Sequence, residues 1–296
     1  MQTFQKDFLS YIASERAHSA NTLSAYGRDL DQFALFCTRK KIDFRAITLR
    51  QLREFLASLR RGGNAERSIA RKASTLKQFY QFCLRENGVT ADPTELLSVR
   101  VKKHVLPKIL TNEEIVALVE SANGPGEQET RDRAMLELWY ATGARVSEIA
   151  LLKAKNLDWA DGLVRIKGKG GTERIVPLSQ AALTWCQKYR EIRVGWLRRF
   201  DLKDPDSFFL TIRGKGFTRQ GIWKLLKKYV KRAGITRRVW PHMIRHTFAT
   251  EMLHGGADLR VVQDLLGHKS ISTTEVYTHL DIENLKSMQV KYHPRR

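Results

Sequence analysis

Apolar residues recur at helical spacing through the first 98 residues, and no stretch there alternates as a strand would. Phe4, Phe8, Tyr11 and Ile12 mark a first helix, and Leu23, Tyr26, Leu30 and Phe33 a second that Asn21 is placed to cap. Thr48 and Gln51 have the spacing of a capping box ahead of Leu52, Phe55, Leu56 and Leu59. Ile69, Leu76, Phe79, Tyr80 and Cys83 give a fourth helix that ends near Gly88. Four helices of this length predict a small bundle over residues 1–98. Residues 99–110, VRVKKHVLPKIL, carry basic residues and a proline with little periodicity and read as a linker.

A second domain, residues 111–296, opens on another capping box, Thr111 with Glu114, before Ile115, Leu118 and Val119. A helix from about Arg131 to Ala141 is broken at Gly143, and Arg145 starts a new turn. The period then changes from helical to alternating. Leu163–Lys167 and Glu173–Leu178 predict two strands of a hairpin around Gly168-Lys169-Gly170-Gly171, which presents Lys169 on a turn. Helices follow over Ser179–Phe200 and around Ile222, Leu225, Leu226, Tyr229 and Val230, with Arg213, Lys215 and Arg219 on the loop before the latter.

Pro241 suits a first helical position, which places His242 and Arg245 at i and i+3 on one face before Gly255-Gly256 ends the helix. Asp258 caps a further helix with Val261, Val262, Leu265 and Leu266 as its apolar stripe. Gly267 ends it in the left-handed conformation, so His268 sits on a helix-ending turn. Ser272 and Glu275 start a short helix carrying Tyr277, and Ile282, Leu285 and Met288 form a stripe in the tail.

The chain has 296 residues and 42% hydrophobic content, enough for real cores, and its net charge of +21 with a pI near 10.1 points to a polyanionic partner. The excess is +10 in residues 1–110 and +11 in the remainder, so both domains are basic, as a clamp on extended nucleic acid requires. Arg60, Arg61, Arg67, Arg71, Lys72 and Lys77 cluster around the connection between the third and fourth helices, where they can meet phosphates. Cys37, Cys83 and Cys186 lack CxxC spacing and fall in apolar helical patterns, as reduced core residues of a cytoplasmic protein do. The N-terminus has no uninterrupted apolar core and no run approaches a membrane span, so neither a signal peptide nor a membrane is expected.

A phenol has a pKa of about 10 and is a poor nucleophile until cations or a base assist it. Guanidinium and imidazole groups supply that help, and guanidinium forks also bind the non-bridging oxygens of a phosphodiester. Each motif alone has a plainer reading: HxxR as a solvated helix face, Arg145 as the i+3 salt-bridge partner of Glu148, Lys169 as a solvated turn residue. GKGG lacks the spacing of a P-loop, which excludes an ATP cradle. No carboxylate cluster suits Mg²⁺, no Cys/His pattern suits zinc, and His242 with His246 lacks the HExxH context, so no metal and no cofactor are expected.

ATGARVSEI, IKGKGGTERIVPL, HMIRHTFAT and LLGHKSISTTEVYTH occur together in this order. In that set the chain resembles the tyrosine recombinase (lambda-integrase) family, and in particular its Xer-type members. The resemblance spans nearly the whole chain. It implies a mainly α fold, with an N-terminal four-helix core-binding (SAM-like) bundle and an α-helical catalytic domain holding a small antiparallel β-sheet. It implies that Arg145 and Arg245 hold the scissile phosphate, that His242 hydrogen-bonds it and assists proton transfer, and that Lys169 protonates the leaving 5′ oxygen. His268 supports phosphate and nucleophile, and Tyr277 is the nucleophile that forms a 3′-phosphotyrosyl intermediate. Thr172 stands where many relatives carry a basic residue, and Lys167 competes for the role of the acid.

The resemblance further implies double-stranded DNA at a specific recombination site as partner, and a homo- or hetero-tetramer of recombinase protomers coupled by the tail from about residue 281. The expected activity is site-specific recombination, Xer-like resolution of chromosome or plasmid dimers. A mobile-element integrase, a type IB topoisomerase-like nicking-closing enzyme and a non-catalytic DNA-binding relative are the alternatives.

Overall fold

The computed structural model describes residues 1–15, 20–99, 109–168, 171–201 and 203–267, together with Ser287 and Lys291. These divide into two compact units, Met1–His104 and Val105–Arg296.

The first unit is helical throughout: α1 (Gln2–Glu15), α2 (Ala20–Lys40), α3 (Leu49–Arg61) and α4 (Glu66–Arg85). Asn21 lies one residue inside α2 rather than ahead of it. The Thr48–Gln51 capping box forms as expected, with Gln51 N–H donating to Thr48 Oγ1 at 3.3 Å and Thr48 N–H to Gln51 Oε1 at 2.8 Å. The helices close on an aromatic core in which Phe8 meets Phe79 edge-on at 5.6 Å and Phe33 meets Phe55 at 5.3 Å. Tyr80 is wholly buried and its hydroxyl donates to Phe44 O at 2.8 Å.

One expectation for this unit needs correction. Lys72, which its place on the helix pattern would turn towards phosphates, is buried, and its ammonium donates to the buried Asp29 carboxylate at 2.9 Å. Arg71 and Thr75 also donate to Asp29. A helix-surface pattern cannot show that a carboxylate from α2 will close over Lys72, because 43 residues separate the two.

The second unit contains α5 (Asn112–Glu120), α6 (Glu127–Thr142), α7 (Val146–Ala150), β1 (Leu157–Asp158), β2 (Leu163–Lys167), β3 (Glu173–Pro177), α8 (Gln180–Arg199), α9 (Arg219–Arg232), α10 (Pro241–His254) and α11 (Leu259–Leu266). The strands form one antiparallel sheet in the order β1-β2-β3, with Val164 opposite Val176 and Lys167 opposite Glu173. Strand β1 is a third strand beside the hairpin expected from the sequence; its two residues are too short for an alternating pattern to register. Arg219, expected on a loop, is the first residue of α9, which Thr218 caps through Gly221 N–H at 3.1 Å.

Helix α6 is the centre of this unit. Every residue from Arg131 to Thr142 is buried, because α6 packs against α8 on one side and α10 on another. Such a helix shows no amphipathic stripe, and its start at Glu127 lies four residues ahead of the one expected from periodicity. Leu110, counted with the linker from sequence, is buried in this core and donates its N–H to Thr247 Oγ1 at 2.9 Å. Among the described residues no helix is long and apolar enough to cross a membrane.

Candidate active site

The site is built where α6 and α11 end and α7 and α10 begin. Helix α6 stops at Gly143, whose φ of +55° is the left-handed conformation that favours glycine. A Cβ here would lie 2.5 Å from Phe248 Cδ1 and 2.9 Å from Leu266 Cδ2, so the turn is pressed against both α10 and α11. Trp139 fixes it from within, its indole N–H donating to Ala144 O at 2.8 Å. The chain then re-enters a helix at α7, with Arg145 at the N-cap and Glu148 at the third position. Glu148 accepts the Arg145 backbone N–H at 2.8 Å through Oε2 and its guanidinium at 2.8 Å through Oε1. The salt bridge expected as the plainer role of Arg145 therefore forms, yet the Arg145 side chain keeps 38% of its surface exposed.

Pro241 begins α10 as expected and puts His242 on its second residue, exposed. One turn on, Arg245 is only 8% exposed. Its Nη1 donates to Gly143 O at 3.1 Å and its Nη2 to Leu266 O at 2.6 Å. The planar fork thus ties the end of α6 to the end of α11, and these carbonyls take two of its five donors. Leu266 precedes Gly267, which caps α11 at φ +68° as the sequence predicts.

Sequence reasoning missed Arg174. This residue of β3 is 5% exposed in its side chain, and it donates to Leu265 O at 2.7 Å through Nε and to Glu148 Oε2 at 2.7 Å through Nη2. The strand's alternation carried a signal, since Arg174 shares the inward phase of Val176. The hairpin stands beside the same carboxylate: a Cβ on Gly168 would be 3.9 Å from Glu148 Oε1. Gly168 N–H donates to Thr172 O at 2.6 Å.

Two guanidiniums therefore hold one buried carboxylate and a third, that of Arg245, lies near enough to feel all three charges, so this cluster carries an excess of positive charge. Burial, with the nearby charges of Arg145 and Arg174, lowers the Arg245 pKa to about 10, and Glu148 opposes that shift. Burial acts to raise the Glu148 pKa, but the bond and charge of Arg174 and the donors of Arg145 outweigh it and hold the carboxyl below its ordinary range. His246 is lowered by burial, by His242 and by Arg245. An anion entering this cluster would relieve the mutual repulsion of its cations.

Of the six residues singled out from sequence, Arg145, His242 and Arg245 are thus set on neighbouring helix termini, while Lys169, His268 and Tyr277 lie outside the described residues. Lys167, the competitor for the acid, holds its ammonium 2.8 Å from Glu173 Oε1 across the ladder. Among the described residues no group of three His, Cys, Asp or Glu side chains is gathered as a metal would need. A cleft of about 470 Å³ between Trp223, Lys227, Lys231, Arg238 and Trp240 is lined by none of the cluster's residues.

Residues 108–284 match the phage integrase family, and residues 6–87 match the phage integrase N-terminal SAM-like domain. The chain is 40% identical over 299 residues to the tyrosine recombinase XerD of Staphylococcus haemolyticus (strain JCSC1435), covering all of both chains. It is 41% identical over 297 residues to that of Staphylococcus aureus (strain N315), again with both covered in full. Among solved structures, the XerH site-specific recombinase bound to palindromic difH substrate, a post-cleavage complex, superposes with a TM-score of 0.70 at 26% identity, over 92% of this chain and 80% of that one.

Proposed function

The chain belongs to the phage integrase family as a Xer-type tyrosine recombinase, an enzyme that breaks and rejoins DNA at specific sites, and from that premise we propose how its residues divide the work. Arg145 and Arg245 bind the non-bridging oxygens of the scissile phosphate. The Tyr277 hydroxyl oxygen attacks phosphorus, and its proton passes to an imidazole, His242 in this reading. The bond from phosphorus to the 5′ oxygen breaks as Lys169 gives its proton to that oxygen. The products are a 3′-phosphotyrosyl bond and a free 5′ hydroxyl. Attack by the 5′ hydroxyl of another strand reverses the steps and rejoins the DNA. His268 supports the phosphate and the nucleophile.

The observation that carries this reading is the buried fork of Arg245 near the Arg145–Glu148–Arg174 cluster, in which Glu148 holds both other guanidiniums. Such a cluster offers preorganised donors and surplus charge to an oxyanion, which is how phosphoryl transfer proceeds on side chains alone. The phosphodiester energy is kept in the covalent intermediate, so the reaction runs without ATP.

The substrate in this reading is double-stranded DNA at a specific site, and the acting form is a tetramer of recombinase protomers on two such sites. The DNA-bound XerH neighbour supports the first part, and the excess of basic residues in both units supports it too. Xer-like resolution of chromosome or plasmid dimers in the cytoplasm is the role that fits the full-length likeness to XerD proteins.

The test uses a nicked duplex bearing the cognate site, selected from genomic DNA, without metal or ATP. A covalent protein–DNA adduct on a denaturing gel for the wild type, and none for Tyr277→Phe, is the expected result. An adduct that persists in Tyr277→Phe would overturn the assignment of the nucleophile, and relaxation of supercoiled DNA lacking the site would favour a topoisomerase-like role.

A further inference from the structure

We propose that Arg174 is a positioning residue of the strand-cleavage reaction, acting through Glu148 to hold the Arg145 guanidinium for the scissile phosphate. This rests on the reading of Arg145 as a phosphate-binding residue.

The argument begins with what Glu148 must do. It accepts three bonds: two from Arg145, at its backbone and its side chain, and one from Arg174 at 2.7 Å. The Arg145 backbone N–H and Arg174 Nη2 share the same oxygen, Oε2, which leaves Oε1 to the Arg145 guanidinium. Arg174 itself has no slack, because its Nε is fixed on Leu265 O at the end of α11 and its stem packs 3.3 Å from where a Gly267 Cβ would be. A carboxylate pinned from two sides has one orientation, and it passes that orientation to Arg145.

Arg174 also joins three parts of the site that the chain holds far apart. It sits on β3, its carboxylate partner lies 26 residues earlier on α7, and its carbonyl partner lies 91 residues later on α11. Leu266, the next residue, accepts the Arg245 fork. One buried guanidinium thus registers both of the arginines assigned to the phosphate. With 5% of its side chain exposed, it does so without presenting a surface to DNA. Displacement of a reacting or binding group by about 1 Å is enough to cost on the order of 10²-fold in rate.

The experiment compares full-length wild type, Arg145→Ala, Arg174→Met and Arg174→Lys on two nicked duplexes of the same site. One carries the natural scissile phosphodiester. The other carries a methylphosphonate there, which lacks one charged oxygen and so needs less guanidinium help. Arg174→Met is expected to bind DNA within about 3-fold of wild type, to cleave the phosphodiester on the order of 10²-fold more slowly, and to recover most of that loss on the methylphosphonate. Arg174→Lys keeps the charge but cannot make both bonds, so it should show a smaller defect with the same recovery, and it answers the question if Arg174→Met does not fold.

Cleavage of the phosphodiester at the wild-type rate by a folded Arg174 variant would overturn the proposal. So would a defect of equal size on both substrates, which is what a merely structural role would give. Arg145→Ala separates the two levels: if it is not rescued by the methylphosphonate, the assignment of Arg145 fails, whereas rescue of Arg145→Ala without rescue of the Arg174 variants sinks only the role of Arg174.

Discussion

Arg245 donates to the carbonyl of Gly143 at 3.1 Å, a bond that spans 102 residues of chain. It joins the second arginine motif to the turn that launches the first, so the Arg245 guanidinium is positioned by the turn that leads into Arg145. The packing around Gly143, with its φ of +55°, explains why the turn is glycine. Any side chain at this position would occupy the space in which Phe248 and Leu266 bring α10 and α11 against it.

Gly143→Ala should accordingly destabilise the second unit. The left-handed backbone and the contact 2.5 Å from Phe248 Cδ1 act together, and strain and overpacking of this kind sum to about 2–5 kcal/mol. Thermal unfolding of the full chain checks this, with a fall of several degrees expected in the transition of the catalytic unit. An unchanged transition would mean that the turn can adopt another conformation.

Arg245→Lys should leave DNA binding within a few-fold of wild type while slowing covalent adduct formation. A single ammonium cannot reach both Gly143 O and Leu266 O and still face a phosphate. The loss of preorganised donors to a developing oxyanion is worth on the order of 10²–10³-fold. Adduct accumulation on a nicked duplex, timed against wild type, measures it, and near-normal cleavage would show that the fork geometry is dispensable.

Glu148 gives the pH prediction. Its folded pKa lies below the reference value of 4.5, with the donors of Arg174 and Arg145 overcoming burial. A carboxylate depressed by folding stabilises fully above the unfolded pKa and loses that contribution as pH falls through the folded one. Glu148→Gln should therefore be less stable than wild type near neutral pH, by about 3 kcal/mol if it behaves as a broken buried pair. The gap should narrow as the pH falls below the unfolded value and through the lowered folded pKa, where wild-type Glu148 itself becomes protonated. Urea unfolding of both proteins across pH tests the sign; a gap constant from neutral to acid would mean that the carboxylate's charge is not what stabilises the cluster.

What the sequence made legible was local. The capping boxes at Thr48 and Thr111, the proline that opens α10 and the glycines that close α6 and α11 all follow from groups satisfied within a few residues. The order of four motifs pointed to the family, and the roles proposed for six residues rest on that resemblance. Arg174 stayed hidden because its partners lie 26 and 91 residues away, and the alternation in ERIVP, which turns it inward with Val176, names neither of them. For the same reason Glu148 read as an ordinary i+3 partner, when its second cation converts a surface pair into a buried hub. The start of α6 was missed because a helix buried on all sides has no stripe to count.

Asp29 in the first unit carries the last prediction. Its carboxylate is buried and accepts from Lys72 Nζ at 2.9 Å, from Thr75 Oγ1 at 3.0 Å and from Arg71. Arg71 keeps 43% of its side chain exposed and can turn to water, but Lys72 keeps only 9% and cannot. Removing the carboxylate leaves a buried ammonium without its counter-ion, which costs about 3–5 kcal/mol. Asp29→Ala should therefore lower the melting transition of the helical unit. Asp29→Ala with Lys72→Met should restore much of it, because the orphaned charge leaves with its partner. Failure of the double substitution to recover stability would mean that Asp29 acts chiefly by holding Thr75 and Arg71 on α4, and that Lys72 is neutralised in some other way.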